Sequence, residues 1–226
     1  MDLLHALAAD AAEPGTVVVA DEQTGGRGSR GRAWRSPRGG LWLSLLLRPR
    51  SSVGVELLGL RAGLAVAAAL EQLGVGLPVR LKWPNDLMLG ERKVGGILCE
   101  ARWQGDALGW VVVGLGLNVA NAIPPELADT AMALAECLPG MTAELLEPDI
   151  TTALRGIDTA SGRLSAFELE RLRQRDWLYG RQLRAPAVGT AAGIAQDGSL
   201  LVRPGAGAAL PVRVGTVELA DSPRRL

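Results

Sequence analysis

The chain has 226 residues, enough for one generous domain or a domain with a small appendage, and 48% of them are hydrophobic, so a substantial core can form. Lys plus Arg and Asp plus Glu both number 24, and this balance argues against a general nucleic-acid binder, which carries a basic excess. Two cysteines without metal-type spacing and a single histidine argue against a disulfide framework, a histidine-rich metal centre or a serine-type triad, and the lack of a signal peptide or membrane-length apolar run predicts a reducing cytoplasmic setting with no membrane contact.

The opening MDLLHALAAD carries an amphipathic helical pattern and puts His5 on a solvated surface. TVVVA (16–20) and LWLSLLL (41–47) are apolar runs flanked by Gly and Pro, which reads as buried strands with Trp42 in the core. Between them TGGRGSRGRAW (24–34) packs four glycines and three arginines into eleven residues. Glycine lets a backbone approach a ligand closely and arginine offers a planar fork of donors, so this loop is built to close over an anion. No acid occurs between Glu22 and Glu56, while seven arginines do, and positive potential gathers there.

Leu58, Ala62, Ala65, Ala69 and Leu73 recur at helical spacing, and Gly74 stands where a glycine would stop that helix against a sheet. Within KWPNDLMLGERKVGGILCE (82–100), Pro84 disfavours helix at Trp83, which leaves Asn85 and Asp86 extended and free to point into a site. A two-residue turn at Gly90-Glu91 puts Leu89 opposite Arg92, Met88 opposite Lys93, Leu87 opposite Val94 and Asp86 opposite Gly95. Asp86, Met88 and Lys93 then share a face, and carboxylate and ammonium meet over Gly95, where no side chain fills the space. Asp86 is a candidate to hold a divalent cation and Lys93 to supply a positive charge to a phosphate or carboxylate; the plain alternative is a surface hairpin with an ordinary ion pair.

KVGGILCEARW and ALGWVVVGLGLNV are two more strands, joined by a hairpin turn near Gln104-Gly105-Asp106. Gly114 and Gly116 lack the third glycine of a dinucleotide fingerprint; two apart on one face they leave a flat shelf, with Asn118 on the same side by parity. Helix is expected at 126–138, 141–154 and 165–178. From 181 the pieces QLRA, AGIA, SLLVR and PVRVGTVEL, separated by turns, suggest a small barrel-like appendage and a boundary near 180.

GRGSRGRAW, then KWPNDL with KVGGIL behind it, then GLGLN, in this order, resemble the biotin-protein ligases, closely over 15–119 and loosely afterwards, where GTAAGIAQDGSLLV resembles that family's small C-terminal domain. The resemblance implies an α/β (α+β) fold: a catalytic domain over 1–179, akin to class II aminoacyl-tRNA synthetases with a mixed sheet backed by helices, and an SH3-like barrel over 180–226. It implies that biotin's carboxylate attacks the α-phosphate of ATP to give biotinyl-5′-AMP, and that a lysine of a carboxylase's biotin carrier domain then takes the biotinyl group. On that resemblance Arg27, Lys93 and Asp86 would be catalytic. Gln23, Gly26, Gly28, Ser29 and Gly95 would join Arg27 and Lys93 around biotin and the adenylate. Arg30, Arg32, Trp34, Asn85 and Asn118 would serve ATP, with Mg2+ at Asp86.

The sequence departs from the family pattern in two places. A strand bearing a Ser-Thr-Asn motif usually opens the catalytic domain, and MDLLHALAAD begins after its place; Ser29 stands where many relatives carry arginine, which predicts weaker retention of the adenylate. No winged-helix domain precedes the match, so no operator binding is expected. A binding-only protein crippled by the missing strand, a lipoate-protein ligase and, third, an RNA-touching RG loop remain as alternatives, and a homodimer stays open.

Overall fold

The computed structural model of the chain describes residues 1–76 and 78–221. In chain order the first part comprises α1 (Asp2–Ala9), β1 (Val17–Ala20), β2 (Leu41–Leu47), α2 (Leu58–Gln72), β3 (Val79–Lys82), β4 (Asp86–Leu89), β5 (Arg92–Gln104) and β6 (Ala107–Leu117). Then follow α3 (Ala143–Arg155), α4 (Ala166–Arg175), β7 (Gln182–Ala185), β8 (Gly189–Ile194), β9 (Leu200–Arg203), β10 (Leu210–Val212) and β11 (Glu218–Leu219).

The apolar run 41–47 is buried at every position because β2 is covered on both faces. It lies between β1 and β6 in a six-stranded sheet of order β1-β2-β6-β5-β4-β3. Every pairing in that sheet is antiparallel, so the expected mixed sheet is corrected: the chain turns back through hairpins at β3–β4, β4–β5 and β5–β6. Leu41, Leu43 and Leu45 join Val111, Val113 and Leu115 in the main core with Leu58, Ala62 and Leu70 of α2. Gly63 lets α2 approach closely, since a Cβ there would stand 3.1 Å from Leu81. On the other face Leu46 and Val112 pack with Leu4 and Ala8 of α1 in a second, smaller core. Each fully buried leucine contributes about 2 kcal/mol by area removed from water.

The helix expected at 126–138 does not form; the segment holds only the 3-10 turns Pro125–Leu127 and Leu134–Glu136. Its backbone is engaged elsewhere. Met132 donates to the Lys93 carbonyl, and Leu134 and Ala135 donate to those of Asn118 and Val119. Those bonds close the ends of β5 and β6, and a helix would have to break them. The expected piece PVRVGTVEL also divides. It gives β10 and β11, which lie at opposite edges of a five-stranded antiparallel sheet of order β10-β9-β8-β7-β11.

Two tryptophans tie the hairpins of the first sheet to the chain that follows α4. Trp83 donates its indole N–H to the Gly198 carbonyl at 2.9 Å, and Trp177 donates to that of Gly90 at 2.9 Å. Arg181 lies 3.7 Å from the Trp177 ring centroid and forks onto Glu91 at 2.6 and 2.8 Å. Arg61 of α2 organises the other side: it is buried, bonds Glu168 at 2.8 Å, and donates to the carbonyls of Asp158, Ser161 and Arg163. Glu168 in turn completes the capping box of α4 with Ser165. Replacing Arg61 by methionine takes the guanidinium from the partly buried Glu168 carboxylate and from three carbonyls, and is expected to cost about 1–3 kcal/mol. The urea midpoint measures this, and a loss below about 1 kcal/mol would show that the 158–168 segment holds without the guanidinium.

Candidate active site

The residues of β5 and β6 that turn away from α2 form a strip on the sheet. Gly96 faces Gly116, Leu98 faces Gly114, Glu100 faces Val112 and Arg102 faces Trp110. The shelf read from the two glycines is present, and it is covered: a Cβ on Gly114 would lie 2.7 Å from the Met1 sulfur, and one on Gly116 would lie 2.6 Å from Trp34 Nε1. Trp34 therefore lies on bare backbone. Its indole N–H is buried without a partner, an arrangement that costs about 1–3 kcal/mol unless a ligand supplies an acceptor.

The β4–β5 hairpin turns at Gly90, with φ 56°, and pairs Leu89 with Arg92 and Met88 with Lys93 as expected. A bulge then shifts the register, so that Leu87 faces Gly95 and Asp86 faces Gly96. The extra residue is Val94, which goes into the core. Lys93 Nζ bonds Asp86 Oδ1 at 2.5 Å, and the pair meets over Gly96, where a Cβ would lie 3.3 Å from Nζ, and not over Gly95. Gly95 is no gap at all: a Cβ there would stand 2.9 Å from the Gly116 carbonyl. Lys93 Nζ also lies 5.0 Å from the Trp34 ring centroid. Ammonium, carboxylate and indole thus surround one glycine pair.

Asn85, expected to point freely into a site, instead donates its side-chain N–H to the Ile97 carbonyl and accepts from the Ile97 N–H on its backbone. Its amide fixes the turn between β3 and β4. Asn118 lies just beyond β6, buried, and accepts from Asn121 at 3.2 Å. Beside it Asn121, Arg92, Ile123 and Glu136 line a groove of about 500 Å³. Lys82, quoted in the sequence but given no role, faces Asp86 across β3–β4. Burial pushes its ammonium below the usual lysine range, against the attraction of Asp86 and with repulsion from Lys93 and Arg32. Its pairing in the register was the signal that could have found it.

The glycine loop is held by a few bonds at its neck. Trp34 donates to the Gly26 carbonyl and Gly28 to that of Arg32. Gly26 admits no side chain, since a Cβ would stand 2.3 Å from the Trp34 carbonyl and 2.8 Å from Gln23 Oε1. Gln23 Oε1 accepts from Ser36 at 3.1 Å, and the Ser29 hydroxyl accepts from Arg32 at 3.0 Å. Arg30 adopts φ 60° and reaches Thr216 of the second sheet's connecting segment.

Arg27 stands toward the other end of the strip. It forks onto Asp2 at 2.6 and 2.7 Å and approaches Glu100 at 3.4 Å. Arg27 and Lys93 therefore border one sheet face, but each is paired with its own acid and they do not meet on one point. His5 is not on a solvated surface: it is 8% exposed, with Nε2 2.9 Å from Glu100 and Nδ1 3.0 Å from Trp110 Nε1. Its face of α1 packs on the sheet, which the helical pattern allowed but the polarity of imidazole hid. Burial raises the Glu100 carboxyl, yet His5 and Arg27 outweigh it and hold the group below the usual range; the Arg27 hydrogen bond does the same for Asp2.

No described helix is long and apolar enough to cross a membrane, and no cluster of three metal-ligating side chains occurs among the described residues.

A family model described as the biotin/lipoate A/B protein ligase family matches residues 3–118. The bifunctional ligase/repressor BirA of Bacillus subtilis is 41% identical over 137 residues, which cover 58% of this chain and 42% of that protein. A biotin--[acetyl-CoA-carboxylase] ligase of Paracoccus denitrificans is 37% identical over 135 residues, 58% of this chain and 56% of that one. The match thus spans about half the length of these curated relatives. The biotin protein ligase of Aquifex aeolicus, solved in complex with biotin and ATP, superimposes with a TM-score of 0.78 at 27% identity over 96% of this chain and 94% of that one.

Because Trp34 occupies the space above Gly116, Gly116→Ala is expected to displace the indole and to cost about 1–3 kcal/mol of stability. The Trp34 indole N–H resonance and the thermal midpoint read the two effects. An unmoved resonance would show that the tryptophan does not depend on bare backbone.

Proposed function

Since the chain belongs to the biotin/lipoate A/B protein ligase family, we propose that it is an ATP-dependent ligase that activates biotin and attaches it to a lysine of a carboxylase's biotin carboxyl carrier domain in the cytoplasm. Biotin's carboxylate oxygen attacks the α-phosphorus of ATP, pyrophosphate leaves, and the lysine amine then attacks the acyl carbon, releasing AMP and a proton. The observation that carries this reading is the Lys93–Asp86 pair beside Trp34 over the Gly96–Gly116 floor, at one end of a strip whose other end holds Arg27.

The chemistry needs positioning and cations aimed at developing charge. Lys93 would place its ammonium on the reacting carboxylate and phosphate, where the orphaned Trp34 N–H offers one more donor. Arg27 would engage the substrate's anionic part from the other end of the strip as the loop closes, with Gly26 and Gly28 letting the backbone follow and Gln23 at the neck. Arg30 and Arg32 would extend the positive field toward the triphosphate, and Ser29, bonded to Arg32, would orient it. Asn118 and the neighbouring groove suit the planar base. Asp86 offers one carboxylate oxygen beyond the one that Lys93 engages, which suits Mg2+ arriving on the phosphates of ATP better than a resident ion. Asn85 acts through the turn that it fixes.

We assign residues 1–179 to a catalytic domain akin to class II aminoacyl-tRNA synthetases and 180–226 to an SH3-like domain, for which the antiparallel pairing of β7 to β11 gives support. Residues 222–226 of that second unit lie outside the described residues.

ATP–pyrophosphate exchange tests the reading: exchange that depends on biotin supports it, and exchange that depends on lipoate alone refutes it. Lys93→Gln keeps length and removes charge, and should lower the exchange rate about 10²- to 10³-fold with little change in stability. A drop below about threefold would remove Lys93 from the chemistry.

A further inference from the structure

The two acids on Arg27 are held very differently. The Glu100 side chain is only 20% exposed, and His5 fixes it. His5 is itself fixed, because Trp110 donates to Nδ1 and leaves Nε2–H to point at Glu100. The relay runs from β6 through α1 to β5 and ends on the loop arginine. Asp2 is 76% exposed in the first turn of α1, and the partner its carboxylate shows is Arg27.

The geometry at the guanidinium is equally unequal. Asp2 takes the terminal Nη1/Nη2 fork with two short parallel bonds, while Glu100 touches the Nε/Nη2 edge at 3.4 Å. A fork of this kind is what an incoming carboxylate or phosphate would use. The acid that holds it is exposed and lightly anchored. The acid on the side edge is clamped.

We propose that Asp2 is an internal stand-in for the anionic substrate on Arg27, and that Glu100, clamped by His5 and Trp110, is the positioning residue that keeps Arg27 aligned while substrate replaces Asp2. The glycine loop then closes by exchange of partners on one guanidinium. Before substrate arrives the arginine is neutralised and the loop is tied to α1; afterwards Asp2 is released to solvent and Glu100 stays. This rests on the reading that Arg27 receives the substrate's anion.

Two measurements separate this proposal from that reading. Hydrogen exchange of residues 24–33 in the ligand-free protein reads the cradle without any substrate. It should quicken up to about fivefold in D2N, return toward wild type in D2E, and quicken in E100Q. In the exchange assay D2N should lower KM up to about fivefold, since a competitor for the fork is gone. A fall in KM for biotin identifies the carboxylate as the displacing group, and a fall in KM for ATP identifies the phosphate. E100Q should act on kcat, lowering it about tenfold or more with its circular dichroism intact. If E100Q does not fold, D2N decides alone, because Asp2 is exposed. Loop exchange indifferent to D2N, or KM values that D2N raises or leaves unchanged, overturn the proposal. Loop exchange that responds in a protein that activates no acid upholds the cradle and sinks the proposed function.

Discussion

Where β5 and β6 bring Gly96 opposite Gly116, one face of the sheet has no side chains, and the backbone itself becomes a surface on which Trp34, Lys93 and Asp86 can lie. The rest of the site follows from that bare patch. The indole would clash with any Cβ on Gly116, and the Lys93–Asp86 pair is already tight against Gly96. The bulge at Val94 serves the same end, since it carries Asp86 one residue further along β5 to stand over the glycine. Without it the carboxylate would face Gly95, where the neighbouring strand leaves no room.

The balanced charge total conceals an organised local field. Lys82, Lys93 and Arg32 lie near enough to influence one another around the single carboxylate of Asp86, and burial already weakens the hold of Lys82 on its proton. Three cations around one carboxylate leave a local excess of positive charge. At the far end of the strip the bookkeeping is the reverse, with Asp2 and Glu100 sharing Arg27.

Much of this was legible in the sequence because it depended on local rules. The uninterrupted apolar run 41–47, the helical spacing ending at Gly74 and the Gly105-Asp106 turn each fix an element without help from distant residues. The segment 126–138 was not legible, because its alanines and leucines favour helix while its backbone is claimed by β5 and β6. The one-residue bulge cannot be read from alternation, which assumes it away, and it moved the meeting point of Lys93 and Asp86. His5 and Glu100 were hidden for another reason: the polarity of each suggests water, and only packing α1 on the sheet reveals that they satisfy one another.

The turn at Gly90-Glu91 is gripped from outside by Trp177 and Arg181, and the turn before β4 is tied through Trp83 to Gly198. Asp86 and Lys93 belong to the very hairpin so gripped. The chain that follows α4, with the turn between β8 and β9, therefore braces the hairpin that carries Asp86 and Lys93. Load on that region would reach Asp86 and Lys93 through the hairpin backbone, and the glycine loop through the bond from Arg30 to Thr216.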